Sequence, residues 1–148
     1  MSLVFLAIFT VFGCQKSHNL KYIEGTVTLD EKPVESVSVS FLPVDSSKGL
    51  GAGGYTDVNG KFKLSSLLGK GGDGTQAGKY SVIFVKLIPA REMTEDEKQL
   101  AQTNPERVPA IPMVDALPSK YRSPQTSGIE VEVTESGSNV FNFDLSSH

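Results

Sequence analysis

From residue 21 onward the chain is written largely in period two. Across residues 22–29, Ile23, Val27 and Leu29 share one face with Gly25, while Glu24, Thr26 and Thr28 share the other, the signature of a half-buried strand. Asp30-Glu31-Lys32-Pro33 follows as a polar turn. Val37, Val39 and Phe41 then alternate with Ser36, Ser38 and Ser40 until Pro43 ends the strand. The glycine-rich stretch 51–56 is a weak strand by composition. The turn Asp57-Val58-Asn59-Gly60 and the alternating Lys61-Phe62-Lys63-Leu64 behind it predict a hairpin. After a glycine-rich loop over 69–75, residues 78–85 enter a strand that is apolar on both faces from Val82, as a central strand is. Ile129, Val131 and Val133 alternate with Glu130 and Glu132, and Ser136-Gly137-Ser138 turns. Phe141, Phe143 and Leu145 finish the chain, and the last two strands predict a hairpin closing a sheet. Roughly seven strands with closely spaced turns predict an all-β fold, a seven-stranded antiparallel β-sandwich with one short helix. In this register Phe41→Asp abolishes folding.

Between the strands, residues 89–118 break the pattern. Thr94-Glu95-Asp96-Glu97 is a capping box, in which the threonine hydroxyl and the glutamate carboxylate satisfy free N–H groups at a helix start. It predicts a helix over 95–102, stopped by Pro105, Pro109 and Pro112. The segment is long for a connection and reads as an insertion on the surface. Its acidic trio Glu95, Asp96 and Glu97 suits the positive end of the helix dipole and is also a candidate interaction surface.

The other departure is the start. Residues 3–13 are almost continuously apolar, and Cys14 and the polar residues 15–19 follow. The run is short for a membrane span, which takes about 20 apolar residues, and suits the core of a secretory signal. Val11-Phe12-Gly13-Cys14 resembles the lipobox of bacterial lipoproteins, in which the cysteine is diacylated (palmitate-type chains) and becomes the mature N-terminus. The resemblance implies cleavage between Gly13 and Cys14, with residues 1–13 as signal peptide, 14–20 as lipidated cysteine and tether, and 21–148 as the sandwich domain. It also implies an exported protein held on the membrane of the bacterial cell envelope, on the periplasmic or outer-membrane face, through the lipid on Cys14. No Lys or Arg precedes the apolar run, which leaves a start upstream of Met1 open.

Composition narrows the chemistry. A formal charge of -3 argues against a nucleic-acid partner. Cys14 is the only cysteine, so with it lipidated no disulfide or cysteine-held metal is expected. The two histidines, His18 and His148, lie in the tether and at the last residue. Neither a serine triad nor a zinc site is therefore expected, and no cofactor.

Several pieces resemble one family. Residues 25–34 are similar to the "G-x-V-x-x-D-G-K-P-V" opening of carboxypeptidase-regulatory-like, transthyretin-like domains, residues 56–62 to their "T-D-x-x-G-x-F" turn, and residues 78–82 to their "G-x-Y-x-V" strand entry. Leu117-Pro118-Ser119-Lys120-Tyr121 and the strands after it resemble small lipoproteins of this type from planctomycete-like bacteria. The likeness covers residues 23–145 and implies a prealbumin-like, Ig-like sandwich whose members mostly serve as surface or interaction modules. Glu31 stands where the family usually has glycine, which implies a turn other than the tightest hairpin.

Four stretches invite a sharper reading. Tyr121-Arg122-Ser123 looks like part of the ending of transthyretin-related hydroxyisourate hydrolases, but Pro124 follows and no strand histidine accompanies it. It reads as a surface turn, with Tyr121 and Arg122 as candidate contact residues. Asp57-Val58-Asn59-Gly60 looks like the start of a calcium loop but lacks the closing glutamate, so the turn reading wins. The glycine loop lacks Gly-Lys-Ser/Thr and is not a phosphate loop. Lys21 with Asn139 or Asn142, helped by Glu24, would suit an internal isopeptide bond if the lysine were buried.

The expectation is a non-enzymatic, lipid-anchored envelope domain for surface structure or protein interaction, with other envelope proteins or glycans as partners. The alternative is a carbohydrate- or peptide-binding module of a surface uptake system. A hydroxyisourate-type enzyme ranks last.

Overall fold

The computed structural model describes residues 19–47, 51–66 and 74–148. The signal segment with Gly13 and Cys14, and the glycine loop through residue 73, lie outside the described residues. Two sheets face each other. In the first, β1 (Ile23–Leu29) is flanked on one side by the last strand and on the other by β2 (Lys32–Pro33) and β5 (Lys61–Lys63). The second has β3 (Ser38–Pro43) at its centre, between β4 (Ala52–Tyr55) and β7 (Gly78–Val85). Its edges are β6 (Ser65–Ser66), beside β4, and β10 (Glu130–Val133), beside β7. β8 (Leu87–Pro89) and β9 (Met113–Asp115) form a separate ribbon, and β11 is Asn139–Leu145. The fold is an all-β sandwich with more strands than the alternation suggests, because two- and three-residue strands carry no readable period.

The alternating faces are buried as read. Ile23, Val27, Val37, Val39, Phe41, Phe62, Leu64, Tyr80, Val82 and Phe84 fill the space between the sheets. Phe143 is the aromatic hub, its ring 5.1 Å from Phe84, 6.1 Å from Phe62 and 6.3 Å from Phe41. Burying each such side chain contributes roughly 1.5–3 kcal/mol. Gly25 lies within this packing because a Cβ there would stand 1.7 Å from the Phe141 carbonyl oxygen.

Three pairings differ from the expected ones. β10 and β11 do not form a hairpin: β10 pairs antiparallel with β7, whereas β11 crosses to the other sheet and runs parallel to β1, Ile23 opposite Asn139 and Leu29 opposite Leu145. β4 and β5 likewise belong to different sheets, since β4 pairs with β3 and β6 and β5 with β1. The turn between them is as expected, with Asp57 Oδ1 accepting from the Asn59 and Lys61 N–H groups and Gly60 at φ +72°. Finally, Asp30 and Glu31 form a two-residue hairpin turn, both with positive φ, between Leu29 and Lys32. This is the tightest hairpin, in the backbone form that a type I′ turn requires. Glu31 is held in it because its N–H donates to Asp144 Oδ1 at 3.0 Å and the Asp30 N–H to the Leu145 carbonyl at 2.8 Å.

The registers give the sandwich two poles. At one, Lys21 bridges Thr75, Ile23 faces Asn139, Gly78 faces Val133, and Asn139 Oδ1 accepts from the Thr134 N–H. At the other lie Leu29, Leu145, Ser38 and Val85. The chain enters the domain at the first pole. β7 then spans eight residues, about 25 Å at ~3.3 Å per residue, and hands over to the β8–β9 ribbon at the second.

Candidate interaction surface

The insertion leaves the distal pole as an arm. β8 and β9 form its stem, with Ile88 opposite Val114 and Pro89 opposite Met113. The ladder is extended by bonds from the Ala90 N–H to the Pro112 carbonyl and from the Ala116 N–H to the Lys86 carbonyl, both 2.8 Å. Side chains alternate across a strand, so Ile88 and Val114 occupy one face and Leu87 and Met113 the other. All four are exposed, as is Met93 beyond the stem. The ribbon thus exposes apolar side chains on both faces, which makes it the candidate contact surface.

Helix α1 (Glu95–Thr103) crowns the arm. Its start is the expected capping box: the Glu97 N–H donates to Thr94 Oγ1 at 3.3 Å, and the Thr94 N–H to Glu97 Oε2 at 2.8 Å. Arg91 clasps both Glu97 oxygens at 2.7 Å each. The guanidinium and the Thr94 N–H hold the Glu97 carboxyl down to a pKa of about 2, and the same pairing raises Arg91. Pro105 begins a 3-10 turn just after the helix, where it cannot continue the ladder. Between α1 and the returning chain lies an open cleft of about 850 Å³, its apolar lining supplied by Pro89, Met93, Pro109, Ala110, Ile111 and Met113.

The candidate contact residues separate accordingly. Asp96 is exposed on the first turn, and Glu95, also exposed, pairs with Lys98 at 2.7 Å. Glu97 is committed to the cap and to Arg91. Tyr121 is a correction: it is only 7% exposed and belongs to the core, its ring edge-on to Phe84 at 6.3 Å and its hydroxyl accepting from the Ser146 N–H at 2.9 Å. The 3-10 turn Ser119–Arg122 rotates it inward, so its ring offers no docking surface.

Arg122 lies at the root of the arm, beside Asp115. The Asp115 side chain is almost fully buried there, its Oδ1 accepting from the Lys86 and Leu117 N–H groups at 3.0 Å each. Arg122 Nε lies 3.2 Å from Oδ2, an ion pair without the alignment of a hydrogen bond. A single carboxylate thus ties the two strands of the stem where they leave the core.

The isopeptide grouping is not assembled. Lys21 Nζ pairs with Glu135 at 2.8 Å, Asn139 is bonded to Thr134, Asn142 to Thr26, and Glu24 to Tyr22. Among the described residues no three His, Cys, Asp or Glu side chains are grouped to hold a metal ion, and no helix is long and apolar enough to cross a membrane. Compared with protein-family models, curated proteins and solved structures, the chain matches none.

Proposed function

We propose that this chain is a lipid-anchored domain of the bacterial cell envelope, of the transthyretin-like type, that works by protein contact through the arm at its distal pole. The observation that carries the reading is the opposition of the two ends. Residues 21–23 enter the sandwich at one pole, and the exposed apolar ribbon leaves from the other. A domain held by its N-terminal lipid would therefore offer the arm to partners away from the membrane. Contact is favoured over catalysis because the buried side chains of Asp115 and Thr56 serve structure: Asp115 ties the stem, and Thr56 joins the Val34 carbonyl and the Val37 N–H. The motifs over residues 23–145 support the family assignment.

Photo-crosslinking in intact cells tests this reading. A photoreactive side chain at Val114 is expected to give discrete protein adducts, whereas one at Glu132, on the edge strand β10, gives none. Adducts from neither position, or equally from both, would overturn it.

A further inference from the structure

The outer face of the first sheet carries a second surface, unrelated to the arm. Glu24, Thr26, Lys61, Lys63, Val140 and Asn142 project from β1, β5 and β11 around a depression of about 530 Å³, with Tyr55 on its rim. A smaller depression of about 220 Å³ adjoins it, shares Glu24 and Val140, and is rimmed by Tyr22. Tyr22 and Tyr55, at 48% and 73% exposure, are the only exposed aromatic side chains among the described residues, and both stand here. The other two tyrosines, Tyr80 and Tyr121, are buried.

The polar groups between them are ordered. The Tyr22 hydroxyl donates to Glu24 Oε2 at 3.1 Å, and Lys63 Nζ stands 5.8 Å from the centre of the Tyr22 ring. Tyr22 also holds the Lys63 ammonium above its ordinary pKa. Thr26 Oγ1 donates to Asn142 Oδ1 at 2.8 Å, and the amide NH₂ of this exposed residue adds a donor. Lys61 adds donors, and the second oxygen of Glu24 an acceptor. Lys61 and Lys63 are matched in number by Glu24 and Asp57, and Lys21 beside the smaller depression pairs with Glu135 at 2.8 Å, so the charges of the face balance.

We propose that this sheet face binds a short, uncharged oligosaccharide. Sugar hydroxyls need donors and acceptors interleaved at close spacing, as the Thr26–Asn142 and Tyr22–Glu24 pairs provide. The apolar faces of pyranose rings need aromatic rings to lie against, and Tyr22 and Tyr55 supply those at the two ends. A charged glycan or a nucleic acid would call for an excess of one sign, which is lacking. A purely solvated sheet face would account for the polar ladder but not for exposing both tyrosines beside it.

The test uses the full chain in a detergent without a sugar headgroup, titrated with cellohexaose, maltohexaose and chitohexaose and followed by tyrosine fluorescence and calorimetry. At least one probe is expected to bind saturably with Kd of ~1 mM or tighter. Tyr55→Ala and Asn142→Ala, both exposed and so compatible with an unchanged melt, should each weaken binding at least fivefold. Val114→Ser on the arm should leave it unaltered. Absence of binding by all three probes, or binding that survives both sheet-face variants, overturns the proposal.

Discussion

Replacing Asp115 by alanine separates a rigidly mounted arm from a loosely hinged one. The carboxylate accepts two backbone N–H bonds at 3.0 Å, from Lys86 and Leu117, and faces Arg122. Hydrogen bonds to a charged acceptor contribute about 1.5–3 kcal/mol each, so the pair amounts to roughly 3–6 kcal/mol. The half-exposed Arg122 adds less than about 1 kcal/mol. Against this stands the desolvation of a nearly buried carboxylate, several kcal/mol, which alanine relieves. Water can also reach the freed N–H groups once the side chain is gone. The expected net loss for Asp115→Ala is about 2–3 kcal/mol. Asp115→Asn keeps the Oδ1 acceptor and loses the charge, for about 1 kcal/mol. Urea unfolding followed by tyrosine fluorescence and far-UV circular dichroism gives both values, and amide exchange at Lys86 and Leu117 should quicken in the alanine variant. Stability within about 0.5 kcal/mol of wild type for Asp115→Ala, or identical losses for the two variants, would refute the role given to this carboxylate.

Three further outcomes follow from the same geometry. Gly25→Ala should prevent folding, since its Cβ would meet the Phe141 oxygen of the parallel partner strand at 1.7 Å; a cooperative melt near wild type would contradict the β1–β11 pairing. Glu31→Gly should raise stability by about 0.5–1 kcal/mol in urea melts, the ~1–2 kcal/mol of left-handed strain less the backbone entropy that glycine adds; a loss would contradict the turn. Glu97 has its folded pKa lowered from an ordinary 4.5 to about 2. Its contribution is therefore complete above pH 4.5, declines as pH falls toward 2 and is absent below. In the folded protein the Thr94 and Glu97 amide resonances should titrate with a midpoint near pH 2 while the resonances of β7 stay in place, and Glu97→Gln should remove that step; a midpoint near 4.5 would contradict the clasp.

What could be read from residues alone was local. Alternation identified the inward faces of β1, β3 and β11, because burial imposes period two on any strand with one wet side; β7, apolar on both faces from Val82, hid the alternating burial it has. The capping box at Thr94 needed only four neighbouring residues. Partner identity has no such trace: Ser136-Gly137-Ser138 serves equally for a hairpin and for a crossing between sheets, and the crossing occurs. The stem of the arm escaped notice because Leu87–Pro89 and Met113–Asp115 are too short to show a period, although each pairs an apolar doublet with a flanking proline. Tyr121 sits among Ser119, Lys120, Arg122 and Ser123, polar company that conceals a core residue. Asp115 looks like any surface acid until the strands bring Lys86 to it.

Attachment at Cys14 is what would turn the two poles into a membrane side and a far side. Metabolic labelling with an alkyne palmitate, followed by detergent phase partition, tests it directly. Wild-type chain should carry the label and enter the detergent phase, and Cys14→Ser should do neither. Wild-type chain that stays unlabelled in the aqueous phase would contradict the anchor, and with it the orientation of the arm.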